Sequence, residues 1–352
     1  MSRFHRIGFL SLALLLASCS KSATTAPGGV DSDARGTPLS GENAFETGTR
    51  LSWSPLTNEV LGSAKGGGTL GGPGLAAVRT IDGAARILDP APALFPLVDP
   101  DGRHVYYDAV AVDSTFLRRR SLGASGVTSV AAVSGLGACT FAISPDGRYL
   151  AYAAADVDLA GPDSLHVLDQ SSGRRVTFAP GWPIAFSFDD GTLLVTPPGG
   201  GWAAVALSSG ATTPVDFALP GGAGIGGIRW DSFGLHALFA YQAHELWIST
   251  ILGAQARVVT VPETIVASSI TWSPDGTRAA FWTVGPIDNG ADTAYRLYVV
   301  SIAAHAAGVV AIGRSVGGAI AWSPDGARLG YLYGDRLFSV SVVAAGAAAT
   351  AR

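Results

Sequence analysis

"WSPDG" stands at Trp272–Gly276 and again at Trp322–Gly326, and "ISPDG" stands at Ile143–Gly147. Each is a turn signature: Ser or Asp opens the turn, Pro presets φ at the next position, Asp tolerates the third, and Gly closes with the freedom a bulged hairpin needs. Outward from these three, relatives run "WSPLTNEVLG" from Trp53, "VDPDGRHVYY" from Val98, "SFDDGTLLVT" from Ser187 and "WDSFGLHALF" from Trp230. The seven copies start 42 to 50 residues apart. A fixed period of that length marks a repeat architecture and takes precedence over any local motif.

Within each repeat the turn joins two antiparallel strands. Trp53, Trp230, Trp272 and Trp322 share one position before the turn, and Tyr107, Tyr152, Phe239, Phe281 and Tyr331 share one after it. Large flat side chains at equivalent places fill the space between stacked sheets. Two further strands follow in most repeats, such as "LHVLDQ" at 165–170 with "RRVTFA" at 174–179, and "RLYVVSI" at 296–302 with "GVVAIG" at 308–313. Four short strands per repeat describe a propeller blade, so the fold class is all-β: a seven-bladed β-propeller built from four-stranded antiparallel blades over residues 45–352.

The pattern "WSPDGxxxxF/Y", followed by a strand ending near "LYVVS", resembles the WD-like propeller repeat of TolB-type proteins and of the propellers attached to prolyl oligopeptidases. The likeness spans residues 45–352 and is strongest in repeats 2, 3, 6 and 7. Repeat 1 reads "SPLT", and repeats 4 and 5 lack the proline. The family's founding member is six-bladed behind a separate N-terminal domain, so the resemblance is one of repeat and fold, not identity. The last repeat ends "RLFSVSV" and a short "AAATAR", with no room for a full outer strand. Residues 45–51, "FETGTRL", are expected to complete that blade and close the ring, which removes an exposed sheet edge.

The N-terminus reads as an address. Arg3 and Arg6 precede an apolar run from Ile7 to Ala17 and then small residues, the layout of an export signal and too short to span a bilayer. "LASC" at 16–19 resembles the bacterial lipobox, which implies residues 1–18 as a lipoprotein signal peptide and a lipidated Cys19 as the first mature residue. Residues 19–44, small and polar with Pro and Gly, read as a flexible tether reaching roughly 25 to 30 Å. These features imply an exported, membrane-anchored lipoprotein of the bacterial envelope, expected at the outer membrane and facing the periplasm or the cell surface.

Hydrophobic residues make up 48 % and charged residues 14 % of the 352, with 46 glycines, which excludes a disordered chain or a charged coiled coil. The formal charge of −4 becomes two units more negative once Arg3 and Arg6 are removed, which argues against nucleic acid as a partner. Cys139 is the only other cysteine, so acylation of Cys19 leaves no intramolecular disulfide.

No catalytic constellation is legible. "GRSVG" at 313–317 fits G-x-S-x-G, but no helix follows Ser315 and no histidine comes later in the chain. "GAGIGG" at 222–227 leads into a strand instead of a helix, so it cannot cradle a pyrophosphate. "DSDARGTPLSGE" at 31–42 has calcium-loop spacing, yet Arg35 stands where a ligand belongs. The six histidines show no metal spacing, and neither a metal nor another cofactor is expected.

Acidic residues do recur in connections between second and third strands: Asp113 in repeat 2, Asp156, Asp158 and Asp163 in repeat 3, Asp288 and Asp292 in repeat 6, and Asp335 in repeat 7. Equivalent loops emerge on one face, so these form a possible binding rim, against the plainer reading of solvated loops. The expectation is a non-enzymatic, lipid-anchored envelope propeller that binds another protein or an envelope polymer. The alternative is a propeller that binds or degrades polysaccharide, which requires carboxylates or a histidine within reach of one ligand.

Overall fold

A computed structural model describes residues 36–342, apart from 47–48, 112–113, 135–140, 156–161, 232–233, 252, 287–292 and 314–316. Cys19, Cys139, Asp113, Asp156, Asp158, Asp288, Asp292 and Ser315 lie outside them. The described residues form seven antiparallel sheets, one per repeat, and contain no α-helix. The degraded repeats 1, 4 and 5 make full four-stranded blades. In blade 3 the strands are Phe141–Ile143, Tyr149–Ala155, Pro162–Asp169 and Arg175–Phe178. In blade 4 they are Trp182–Phe186, Thr192–Thr196, Trp202–Ala206 and Thr212–Val215.

Blade 6 differs in that its first strand is split into Thr264–Ile265 and Thr271–Trp272 by the 3₁₀ turn Ala267–Ser269. Both pieces pair with Arg278–Pro286.

Ring closure falls elsewhere than residues 45–51. Blade 7 consists of Gly317–Trp322, Arg328–Tyr333 and Arg336–Ser341, and its fourth strand is Thr37–Pro38. The Leu39 amide continues the pairing to the Leu337 carbonyl at 2.8 Å, and the Ala44 and Phe45 amides both donate to the Asp335 carbonyl. Phe45 instead bridges to Ala64 of blade 1 and is fully buried. The physical reason is burial: Leu39, Ala44 and Phe45 join Leu51 and Trp53 in the core between blades 7 and 1, so this stretch is ordered structure and not free tether.

The core is distributed. Seven apolar clusters occupy the seven interfaces between neighbouring blades. The recurring aromatics Tyr107, Tyr152, Phe239, Phe281 and Tyr331 are each at most 1 % exposed, and all but Phe239 contribute to one of these clusters each. Antiparallel order fixes two ends. The turns joining first to second and third to fourth strands emerge at one end of every blade, the turn face, and the second-to-third connections emerge at the other.

Candidate functional site

The repeated turn has a defined hydrogen-bond set. In blades 3, 6 and 7 the Ser hydroxyl donates to the Asp two residues on (Ser144 to Asp146, 2.7 Å; Ser273 to Asp275, 2.5 Å; Ser323 to Asp325, 2.6 Å). It also accepts the amide five residues on, from Tyr149, Arg278 and Arg328. The closing glycines Gly147, Gly276 and Gly326 sit at φ +76°, +68° and +66°, which favours glycine at that position.

Blade 4 keeps the hydrogen bonds and changes the closure. Ser187 donates to Asp189 and accepts from Thr192, but the closing residue is Asp190, at φ +56°. A carboxyl group thereby stands where the turns of blades 3, 6 and 7 present only backbone. It meets the Asp146 carboxyl and backbone amide of the neighbouring blade. Desolvation first, and then the Asp146 charge and hydrogen bond, push Asp190 up to about 6. For Asp146, burial acts upward but is outweighed by the Arg148 amide, the Ser144 hydroxyl and the Asp190 contact, so it lies below the usual carboxylate range. With Asp190 raised to about 6 and Asp146 lowered, the pair keeps a proton below that pH and presents carboxylate acceptors above it.

The pair opens into a cleft of about 670 Å³ between blades 3 and 4 on the turn face. Arg148 spans its wall with an ion pair to Asp169 at 2.8 Å, and its guanidinium lies 4.8 Å from the centre of the Tyr149 ring. Hydrogen bonds from Arg148 and then Ser171 hold Asp169 far below the ordinary carboxylate range. Arg174, also lining the cleft, is exposed and forms no ion pair with a described residue. Tyr149 stacks on Phe186 across the blade interface with centroids 6.3 Å apart, fixing the floor.

The acidic rim lies largely beyond description. Asp163 is in the strand Pro162–Asp169, and Asp335 accepts backbone bonds and faces Lys65 at 3.6 Å. The structure brings together a group the sequence did not single out: Asp99, Asp101 and His104 have ligand atoms within 4.8 Å of one another. Asp99 replaces the turn serine there, accepting the His104 amide and meeting its Nδ1, both at 2.9 Å, so turn formation accounts for the cluster. Of "GAGIGG", Gly222 and Ala223 precede the strand Gly224–Asp231 and the other four residues lie within it, so the motif is largely strand and not a loop. The cleft itself had one signal in the sequence: "SFDDG" places aspartate where the turns of repeats 2, 3, 5, 6 and 7 carry glycine.

No family model and no curated protein matches the chain by sequence. Among solved structures, the oligogalacturonate lyase from Vibrio parahaemolyticus is similar at TM-score 0.66 and 13 % identity, covering 87 % of this chain and 93 % of that one. An oligogalacturonate lyase in complex with manganese is similar at TM-score 0.63 and 13 % identity, covering 86 % and 92 %. A chain of the mitotic checkpoint complex follows at TM-score 0.57 and 15 % identity, covering 92 % and 97 %. At these identities the shared feature is the propeller fold.

The expectation of a non-enzymatic protein is corrected by the same finding. It rested on the propeller being a scaffold and on missing helix-borne motifs, whereas the fold is also that of lyases. Catalytic groups on a propeller are assembled from loops of different blades, so no contiguous motif need announce them.

Proposed function

We propose that this protein is an exported bacterial envelope propeller, anchored through a lipid on Cys19, that binds a saccharide in the cleft between blades 3 and 4. The observation that carries the reading is the Asp146–Asp190 pair in a cleft of ligand size. Sugar hydroxyls donate to carboxylate oxygens, and the adjacent Asp146 and Asp190 carboxyls offer them a cluster of acceptors. Arg174 adds a cation suited to a uronate carboxylate. Likeness of fold to proteins named as oligogalacturonate lyases supports the saccharide class. Arg3, Arg6, the apolar run and "LASC" support export and anchoring.

Titration calorimetry with neutral and uronate-containing oligosaccharides tests the reading. Binding is expected for the uronate series, weakened at least tenfold by Asp190→Asn and by Arg174→Ala. Mass spectrometry of the same mixtures reads chain shortening. Absence of binding to either series, or binding indifferent to both substitutions, overturns the site. For the anchor, palmitate labelling is expected in cells making the wild type and absent with Cys19→Ala.

A further inference from the structure

Six large hydrophobic side chains are exposed among the described residues: Leu56, Ile81, Leu94, Val127, Phe188 and Ile251. Topology sorts them. Leu56 and Phe188 lie in first-to-second turns, of blades 1 and 4. Ile81 lies between Gly74–Arg79 and Ala85–Asp89, Val127 at the start of Val127–Ser134, and Ile251 between Glu245–Thr250 and Gln255–Thr260, all at third-to-fourth turns. Five of the six therefore stand on the turn face. They include the three most exposed, Ile81 at 80 %, Phe188 at 72 % and Leu56 at 66 %. Leu94, at the start of Ala93–Val98, is alone on the opposite face.

The first described strand begins at the turn-face end. Arg336–Ser341 runs toward that face, and Thr37–Pro38 is antiparallel to it, with Thr37 opposite Ser339 and Pro38 opposite Phe338. Thr37–Pro38 thus leads away from the turn face, and Gly36 stands at its turn-face end. Thirty-six residues precede Thr37, and they contain Cys19.

We infer that the turn face lies against the lipid bilayer, with Leu56, Ile81 and Phe188 inserted shallowly among the headgroups. The apolar tips belong to four different blades and to none of the core clusters, so they are spread around the turn face instead of forming one compact patch, which suits an extended lipid surface. Acids and arginines interleave on this face and pair with one another, as in Arg79–Asp82 and Arg148–Asp169. A face without a basic excess suits zwitterionic lipid and gives no preference for anionic lipid. The inference rests on the proposed anchor for orientation and deepens the proposed function: a cleft opening on this face meets saccharide displayed at the bilayer surface.

The test is sedimentation of the protein beginning at Ser20, which lacks signal and lipid but retains every propeller residue, with phosphatidylcholine vesicles and with vesicles containing one-fifth phosphatidylglycerol. Wild type is expected to partition equally onto both, independently of salt. The combined Leu56→Ser, Ile81→Ser, Phe188→Ser variant is expected to lose at least tenfold, and Leu94→Ser to lose nothing. Melting curves establish that both variants fold, and calorimetry with the cleft ligand is expected to be unchanged. Wild type left in the supernatant, binding only to anionic vesicles, or a triple variant that still partitions overturns the inference. Failure of palmitate labelling with partitioning intact sinks the anchor alone, and failure of saccharide binding with partitioning intact sinks the cleft alone.

Discussion

Asp190 occupies a left-handed backbone position that the turns of blades 3, 6 and 7 fill with glycine, and it holds a carboxyl against another carboxyl. Both features cost stability. Asp190→Gly is expected to stabilise the protein at pH 7 by about 1 kcal/mol through backbone relief, while abolishing saccharide binding; denaturant titration and calorimetry check the two halves. The ionisation has a defined sign. Because the folded value is raised to about 6 from the ordinary 3.8, the folded state is favoured fully below 3.8 and loses that advantage as pH rises through 6. Melting temperatures of wild type and Asp190→Asn should therefore diverge between pH 4 and pH 7, with the variant gaining on wild type. Asp275 has the opposite sign: burial acts upward, but the Ser273 hydroxyl and Thr277 amide prevail and hold it down to about 2. Its contribution is present above 3.8 and lost as pH falls toward 2, so Asp275→Asn should flatten that part of the acid limb.

At the scale of the element, the turn is also how blades grip each other. Arg229 of blade 5 donates to the Ser273 and Pro274 carbonyls in the blade 6 turn, at 3.0 and 3.2 Å. Arg278 of blade 6 repeats this on the Gly326 carbonyl of blade 7 at 2.8 Å, and its guanidinium lies 5.2 Å from the Trp322 ring centre. Arg328 of blade 7 then reaches over Trp53 of blade 1 at 5.9 Å. The turn glycine thus serves packing as well as conformation, since a Cβ on Gly276 would lie 2.4 Å from the Arg229 guanidinium. Ser323 is 4 % exposed and bonds within its turn, so Ser323→Ala is expected to cost about 1 to 3 kcal/mol, read by chemical denaturation.

Over the whole molecule, closure decides stability. The ring is joined by a two-residue strand and by the burial of Phe45 against Leu51 and Gly62, so Thr37–Pro38 and Arg336–Ser341, the first and last described strands, are held by one interface. Phe45→Ala is expected to cost about 3 to 5 kcal/mol, the range for a large core truncation. Removal of residues 36–40 should expose the Arg336–Ser341 edge and promote aggregation, seen by light scattering.

The sequence by itself determined the blade and its number, because turn chemistry, strand patterning and aromatic placement are local and repeat with one period. It also carried the hint at Asp190, as an aspartate at a glycine position. Only the tertiary structure decided that Asp146 and Asp190 meet, since residues one repeat apart become neighbours through lateral blade packing that no local pattern encodes. It alone decided that Thr37–Pro38 closes the ring: a two-residue strand has no periodicity to read, and its register comes from the edge of Arg336–Ser341 and the apolar gap that Leu39 and Phe45 fill.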